Sequence, residues 1–141
     1  MRAVLQRATS ASVRVGRNVV GRIEEPGLVV LLGITHNDGP NEVAWMVRKI
    51  RDLRIMRGEH SVADIGAPVL VISQFTLYGD ARKGRRPTWL AAAPGEVSEP
   101  LYNAVCAGLE QQGTRVERGV FGADMSVELA NDGPVTMILE T

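Results

Sequence analysis

The sequence predicts a mixed α/β (α+β) fold in which two main helices pack on a curved, barrel-like sheet, all within one domain spanning residues 1–141. Three observations carry this. The runs LVVLLGI (28–34) and PVLVI (68–72) are apolar at consecutive positions, as strands covered on both faces are. Two segments, about 40–52 and 94–111, repeat apolar residues with the period of a helix. Strand-like runs gather at both ends of the chain without a regular βαβα rhythm, which favours α+β over a doubly wound sheet.

Taken in order, residues 2–8, 11–15 and 18–23 are rich in β-branched residues and partly alternating. Breaks at Thr9-Ser10 and Gly16-Arg17 predict a meander. After the buried run 28–34, Asn37-Asp38-Gly39-Pro40 supplies capping chemistry, and Val43, Met46, Val47 and Ile50 fall at i, i+3, i+4, i+7. A second helix starts near Pro94, keeps Val97, Leu101, Ala104, Val105 and Leu109 on one face, and stops by Gly113. Three runs close the chain: TRVERGV, MSVEL (125–129) and VTMIL (135–139). The Asn131-Asp132-Gly133-Pro134 cluster between the last two reads as the turn of a β-hairpin. Nothing visible covers the sheet edges, which leaves them open to pairing between subunits.

Composition narrows the function. Sixteen basic and sixteen acidic residues cancel, so no global field grips nucleic acid, and any RNA contact must come from a local patch. The start, MRAVLQRATSASVRV, is interrupted by arginines and does not read as a signal peptide. The longest apolar stretch, 28–34, is far below the ~20 residues a membrane span needs. Cys106 is the only cysteine, so no internal disulfide can form, and a reducing cytoplasm is the expected compartment.

Much catalytic machinery is missing. His36 and His60 are the only histidines, both in polar loops, and neither has a second ligand at metal spacing, so no metal is expected. A GxSxG elbow and the phosphate-binding glycine motifs are absent. Cys106 falls among the apolar residues of the second helix, where it reads as a small buried hydrophobe.

Two segments offer chemistry. Ser73-Gln74-Phe75-Thr76 follows the second buried strand, where a chain leaving the sheet can turn successive N–H groups into a cleft and stabilise an oxyanion. Thr76 is also a candidate nucleophile, and the plain alternative is a strand end whose hydroxyls bond their own backbone. Arg82, Lys83, Arg85 and Arg86 put four positive charges within five residues, with Trp89 just beyond. Such a loop can meet phosphates and stack a base, or simply be solvated. Arg48, Lys49, Arg51, Arg54 and Arg57 read as the wet side of the first helix and its exit.

SQFTLYGD (from 73), KGRRPTW (from 83), GVFGADM (from 119) and NDGPVT (from 131), with LQRATSASVRV near the start, together resemble the D-aminoacyl-tRNA deacylase family almost end to end. The resemblance implies a homodimer of barrel-like subunits that hydrolyses the ester of D-aminoacyl-tRNA, and glycyl-tRNA as well, while rejecting L-aminoacyl-tRNA. It implies that Gly133 and Pro134 form a cis pair reaching into the partner's active site, with carbonyls toward the substrate ammonium and Ser73, Gln74, Phe75 and Thr76 on the facing wall. By the same resemblance Phe121 and Met125 line the pocket and Arg7 supports the Gly-Pro loop. The resemblance further implies aminoacyl-tRNA as the partner, bound at its 3′-terminal aminoacyl-adenosine, and no cofactor, membrane or DNA is expected. Two other functions stay open: a general esterase using Thr76, and a non-enzymatic dimeric RNA-binding module. One departure stands out. Many relatives carry Gly-Lys-Met-Asn between the first helix and the SQFT strand, whereas MRGEHSVADIGAP (56–68) is shorter and lacks it, leaving that loop's contacts undetermined.

Overall fold

In a computed structural model, which describes all of residues 1–141, the sheet has six strands. They are β1 (Arg2–Val15), β2 (Asn18–Ile23), β3 (Gly27–Gly33), β4 (Val69–Ser73), β5 (Val116–Arg118) and β6 (Ser126–Glu140). The order is β2-β1-β3-β4-β5, with β6 paired to β1. Curvature brings β2 near β5, where the Arg22 N–H donates to the Glu117 carboxylate at 3.4 Å, so the sheet is a nearly closed barrel. Pairs β3/β4 and β4/β5 are parallel, and their crossovers carry the helices α1 (Pro40–Asp52) and α3 (Gly95–Gln111). No helix is long and apolar enough to cross a membrane.

The two continuous apolar runs behave as their pattern requires. Leu28, Val30 and Leu32 of β3, with Val69 and Val71 of β4, enter the large core shared with α1 and α3. Their alternates Val29, Leu70 and Ile72 enter a second cluster with Ala8, Ala11, Val13 and Ile23 inside the barrel. Each strand is wetted on neither face, and that is why neither alternates.

Helix α1 has the predicted boundaries, but its cap differs. Glu42 accepts a hydrogen bond from the Gly39 N–H at 2.8 Å, while Asp38 instead receives the Thr35 N–H at 2.8 Å and the Met1 ammonium. In α3 the buried face is Tyr102, Val105, Cys106 and Leu109; Val97 and Ala104 are exposed. The face is rotated from the predicted one because the Tyr102 hydroxyl donates to the Val71 carbonyl at 2.9 Å, tying the helix to β4. A short helix, α2 (Val62–Ile65), capped by Ser61 accepting from the Asp64 N–H at 3.1 Å, lies in the loop before β4 and has too few turns to show a period.

Two strand expectations are corrected. Residues 2–15 form one strand rather than two, since β1 pairs along one side with β6 over nearly its whole length. Residues 126–140 likewise form one strand rather than a hairpin: Arg14 pairs with Ser126 and Arg2 with Glu140, in the same antiparallel sense. The Asn-Asp-Gly-Pro cluster is therefore a bulge. Between the pairs Gln6 with Thr136 and Ala8 with Asn131, residues Asp132, Gly133, Pro134 and Val135 all stand opposite Arg7.

Candidate active site

Strand β4 is buried through Ile72 and emerges at Ser73. There the Gln74 N–H donates to the Leu32 carbonyl at 2.8 Å, pinning the exit of β4 to the end of β3. The chain then closes a 3-10 turn, Phe75–Tyr78, with Leu77 N–H on Gln74 O at 3.2 Å and Gly79 N–H on Thr76 O at 2.9 Å. A helical turn leaves its first N–H groups without partners inside the turn, and here those belong to Phe75 and Thr76.

Beside this turn lies a cleft of about 520 Å³, lined by Ser73, Gln74, Phe75, Phe121, Met125 and Trp89 among others. Five of the predicted site residues thus line one cleft. Thr76 stays outside the lining, and its hydroxyl accepts from Gln74 Nε2 at 2.5 Å. Phe121 is braced by Tyr102, ring centroids 5.8 Å apart. Behind the wall, burial pushes the Cys106 thiol up to about 11 and raises the Tyr102 hydroxyl, so both stay protonated at neutral pH.

Gly133 and Pro134 do not line this cleft. They are exposed on β6, and their peptide bond is cis. The bulge is anchored from below by charge. Arg7 donates through Nε to the Asp132 carbonyl at 3.2 Å and through Nη1 to the Ile55 carbonyl at 3.0 Å. Arg57 grips the Asp132 carboxylate with both Nε, at 3.0 Å, and Nη2. Asp132 is 7% exposed. Its carboxyl is held below the ordinary carboxylate range, first by the Arg57 hydrogen bond, then by the charges of Arg57 and Arg7 against the opposing effect of burial. Arg57 is raised in turn. Gly133 sits over Arg7 with φ +127°, and a Cβ there would come within 2.7 Å of Nη2.

Reciprocal hydrogen bonds of 2.9 Å between Asp80 and Thr88 close the basic loop. Arg82 folds back on Asp80, at 2.9 Å through Nε and 2.6 Å through Nη2, and this hydrogen bonding draws the Asp80 carboxyl down to about 2. Lys83, Arg85 and Arg86 are exposed and make no ion pair. Three of the four predicted cations are therefore free for a partner.

Residues 4–140 match the family model described as D-Tyr-tRNA(Tyr) deacylase. The chain belongs to this D-aminoacyl-tRNA deacylase family. Named relatives include a D-aminoacyl-tRNA deacylase of Kineococcus radiotolerans, 61% identical, and one of Thermobifida fusca, 62% identical, each over 140 residues that cover 99% of both chains. These relatives are hydrolases. Among solved structures, the c-Myc DNA Unwinding Element Binding Protein superposes with a TM-score of 0.92 at 41% identity, covering 100% of this chain and 99% of its own. A probable eukaryotic D-amino acid tRNA deacylase superposes at 0.83 with 17% identity, covering 98% and 97%, and bears on the fold alone.

Against the deacylase motifs, three residues of the site escaped the sequence reading. Arg57, which by sequence reads as part of the wet stripe after α1, is the main grip on Asp132. Asp132 reads by sequence as a turn former, whereas in the fold it is buried and, as a buried Asp requires, paired. No local signal joins the two, because their contact spans 75 positions. Asp124 is the only ionisable side chain lining the cleft; it stood in plain sight inside GVFGADM.

Proposed function

We propose that this protein hydrolyses the ester of D-aminoacyl-tRNA, and of glycyl-tRNA, in a homodimer whose active sites each combine elements of two subunits. In this reading Ser73–Thr76, Phe121 and Met125 of one subunit hold the aminoacyl-adenosine, and Gly133 and Pro134 of the other present their carbonyls to its α-ammonium. The observation that carries it is the separation of the two elements. The Gly-Pro bulge is anchored by Arg7 and Arg57, faces outward, and is absent from the cleft of its own chain. Strand β6 pairs on one side only, with Met137 and Ile138 exposed near its end, which favours a second subunit along it.

Chirality follows from geometry. With the ammonium fixed by carbonyls and the ester by N–H groups, only two directions remain at Cα. A D side chain points outward; an L side chain meets rigid backbone that no rotamer relieves. Glycine has no side chain to exclude. Because the wall is main chain, side-chain identity counts for little, and many D-residues are accepted.

The ester is already activated, so positioning and oxyanion stabilisation by the Phe75 and Thr76 N–H groups do most of the work, with water or the neighbouring ribose hydroxyl moving the proton. The lining supports this, since it contains no histidine, lysine or cysteine and the Thr76 hydroxyl bonds only the Gln74 amide. The loop from Arg82 to Arg86 receives phosphates of the tRNA, and the cytoplasm, where tRNA is charged, is the setting.

The test is amino acid release from D-Tyr-tRNA and L-Tyr-tRNA. The proposal expects rapid release of D-tyrosine and none of L-tyrosine; equal rates would end it. Tight tRNA binding with no deacylation of any charged species would favour the RNA-binding module instead.

A further inference from the structure

Resting on the deacylase reading above, we infer that the ring of Trp89, seated against Phe75, is a stacking subsite for the nucleotide preceding the terminal adenosine of the single-stranded acceptor end. Both rings are exposed, Trp89 by 42% and Phe75 by 56%, in a chain with only six aromatic side chains of Phe, Trp and Tyr. They meet edge to face, with centroids 5.4 Å apart and planes at 76°. Trp89 also lies directly on Gly79, where a Cβ would come within 2.6 Å of the ring carbon Cζ3. The ring is therefore seated on the end of the turn that carries Phe75 and Thr76.

Its backbone is held on both sides. The Thr88–Asp80 pairing precedes it; the Ala92 N–H on Trp89 O at 3.0 Å and the Ala93 N–H on Ile34 O at 2.9 Å follow. A rigid, partly uncovered aromatic ring at the edge of a cleft is a platform for a planar ligand. The charge beside it selects which kind. Lys83, Arg85 and Arg86, none in an ion pair, lie in the loop that ends at the Thr88–Trp89 junction. A planar apolar face followed by free cations matches single-stranded nucleic acid, whose bases stack and whose backbone is anionic. Trp89 itself lines the cleft, so a strand with its terminal ester at Phe75 and Thr76 crosses this ring on its way to the cations.

Two measurements test this. In a Trp45→Phe background, Trp89 is the sole tryptophan. The trinucleotide 5′-CCA-3′, carrying no amino acid, is expected to quench its fluorescence and to bind about tenfold more tightly than adenosine 5′-monophosphate, the scale of one base stacked on an aromatic ring. Kinetically, Trp89→Leu is expected to raise KM for D-Tyr-tRNA about tenfold more than KM for D-tyrosyl-adenosine, which lacks the preceding nucleotide, and Trp89→Phe is expected to restore most of the difference. Equal changes on the two substrates would reduce Trp89 to packing behind Phe75 and overturn the subsite, as would trinucleotide and monophosphate binding with equal affinity. If the wild type hydrolyses neither substrate, the deacylase reading fails, and the quenching experiment alone decides whether the stacking site exists.

Discussion

The wall at Ser73–Thr76 and the bulge at Gly133–Pro134 are both main-chain elements, yet they are held in place by opposite means. The wall continues β4, whose residues Val69 to Ile72 are shielded on both faces, so its position follows from close packing. The bulge interrupts an edge strand and rests on a buried carboxylate between two guanidinium groups. Packing fixes an element through many weak contacts, no one of which is decisive. A charge clamp fixes it through two or three directional ones, tunable one residue at a time. Under the function proposed above, a wall common to every substrate would suit the first, and an element that sorts handedness would suit the second.

Breaking the wall should therefore cost stability, and breaking the bulge should cost function. The largest effect is expected from Leu70→Ala, which empties a fully buried position in β4 just before the wall and should lower unfolding free energy by about 2–5 kcal/mol in denaturant titration. Gly133→Ala should leave global stability nearly unchanged but displace the bulge, since the added Cβ collides with Arg7 and φ is +127°. Its D-Tyr-tRNA deacylation, measured in single turnover, should fall by about 10²-fold, the scale of an ångström-sized misplacement. A smaller loss would mean the bulge is less rigid than its clamp implies.

Asp132→Asn sharpens the comparison through pH. The folded-state carboxyl titrates lower than in the unfolded chain, so its contribution is complete above the ordinary carboxylate value of about 4 and is lost as pH falls through the depressed value. The difference in melting temperature between wild type and Asp132→Asn should accordingly be constant near neutrality and vanish in acid. A difference independent of pH would point to shape rather than charge. The smallest effect is expected from Thr76→Ala. With the N–H groups intact, deacylation should fall by less than about tenfold, far short of the loss seen on removing a catalytic nucleophile. Abolished turnover would instead support the esterase mechanism.

Legibility followed the same division. LVVLLGI and PVLVI announced β3 and β4 because two-sided burial erases alternation, and Val43, Met46, Val47 and Ile50 announced α1 by their spacing. The wall residues Ser73 to Phe75 could be read because they directly follow such a strand. MSVEL and VTMIL were also strands, but their relation was not visible: a turn-forming cluster between two strands looks alike whether the chain reverses or bulges. The choice was made by β1, whose length offers a partner for both halves at once.

By itself, then, the order of residues determined the local elements, the two-faced central strands and the motif-bearing segments that mark a deacylase, all of which depend on neighbours within a few positions. Only the tertiary structure decided that residues 126–140 run straight on, that Arg57 closes on Asp132, and that the Gly-Pro bulge stands apart from the cleft of its own chain. Each of those depends on contacts between residues far apart in sequence, where periodicity carries no record of which partner a strand or a charge will meet.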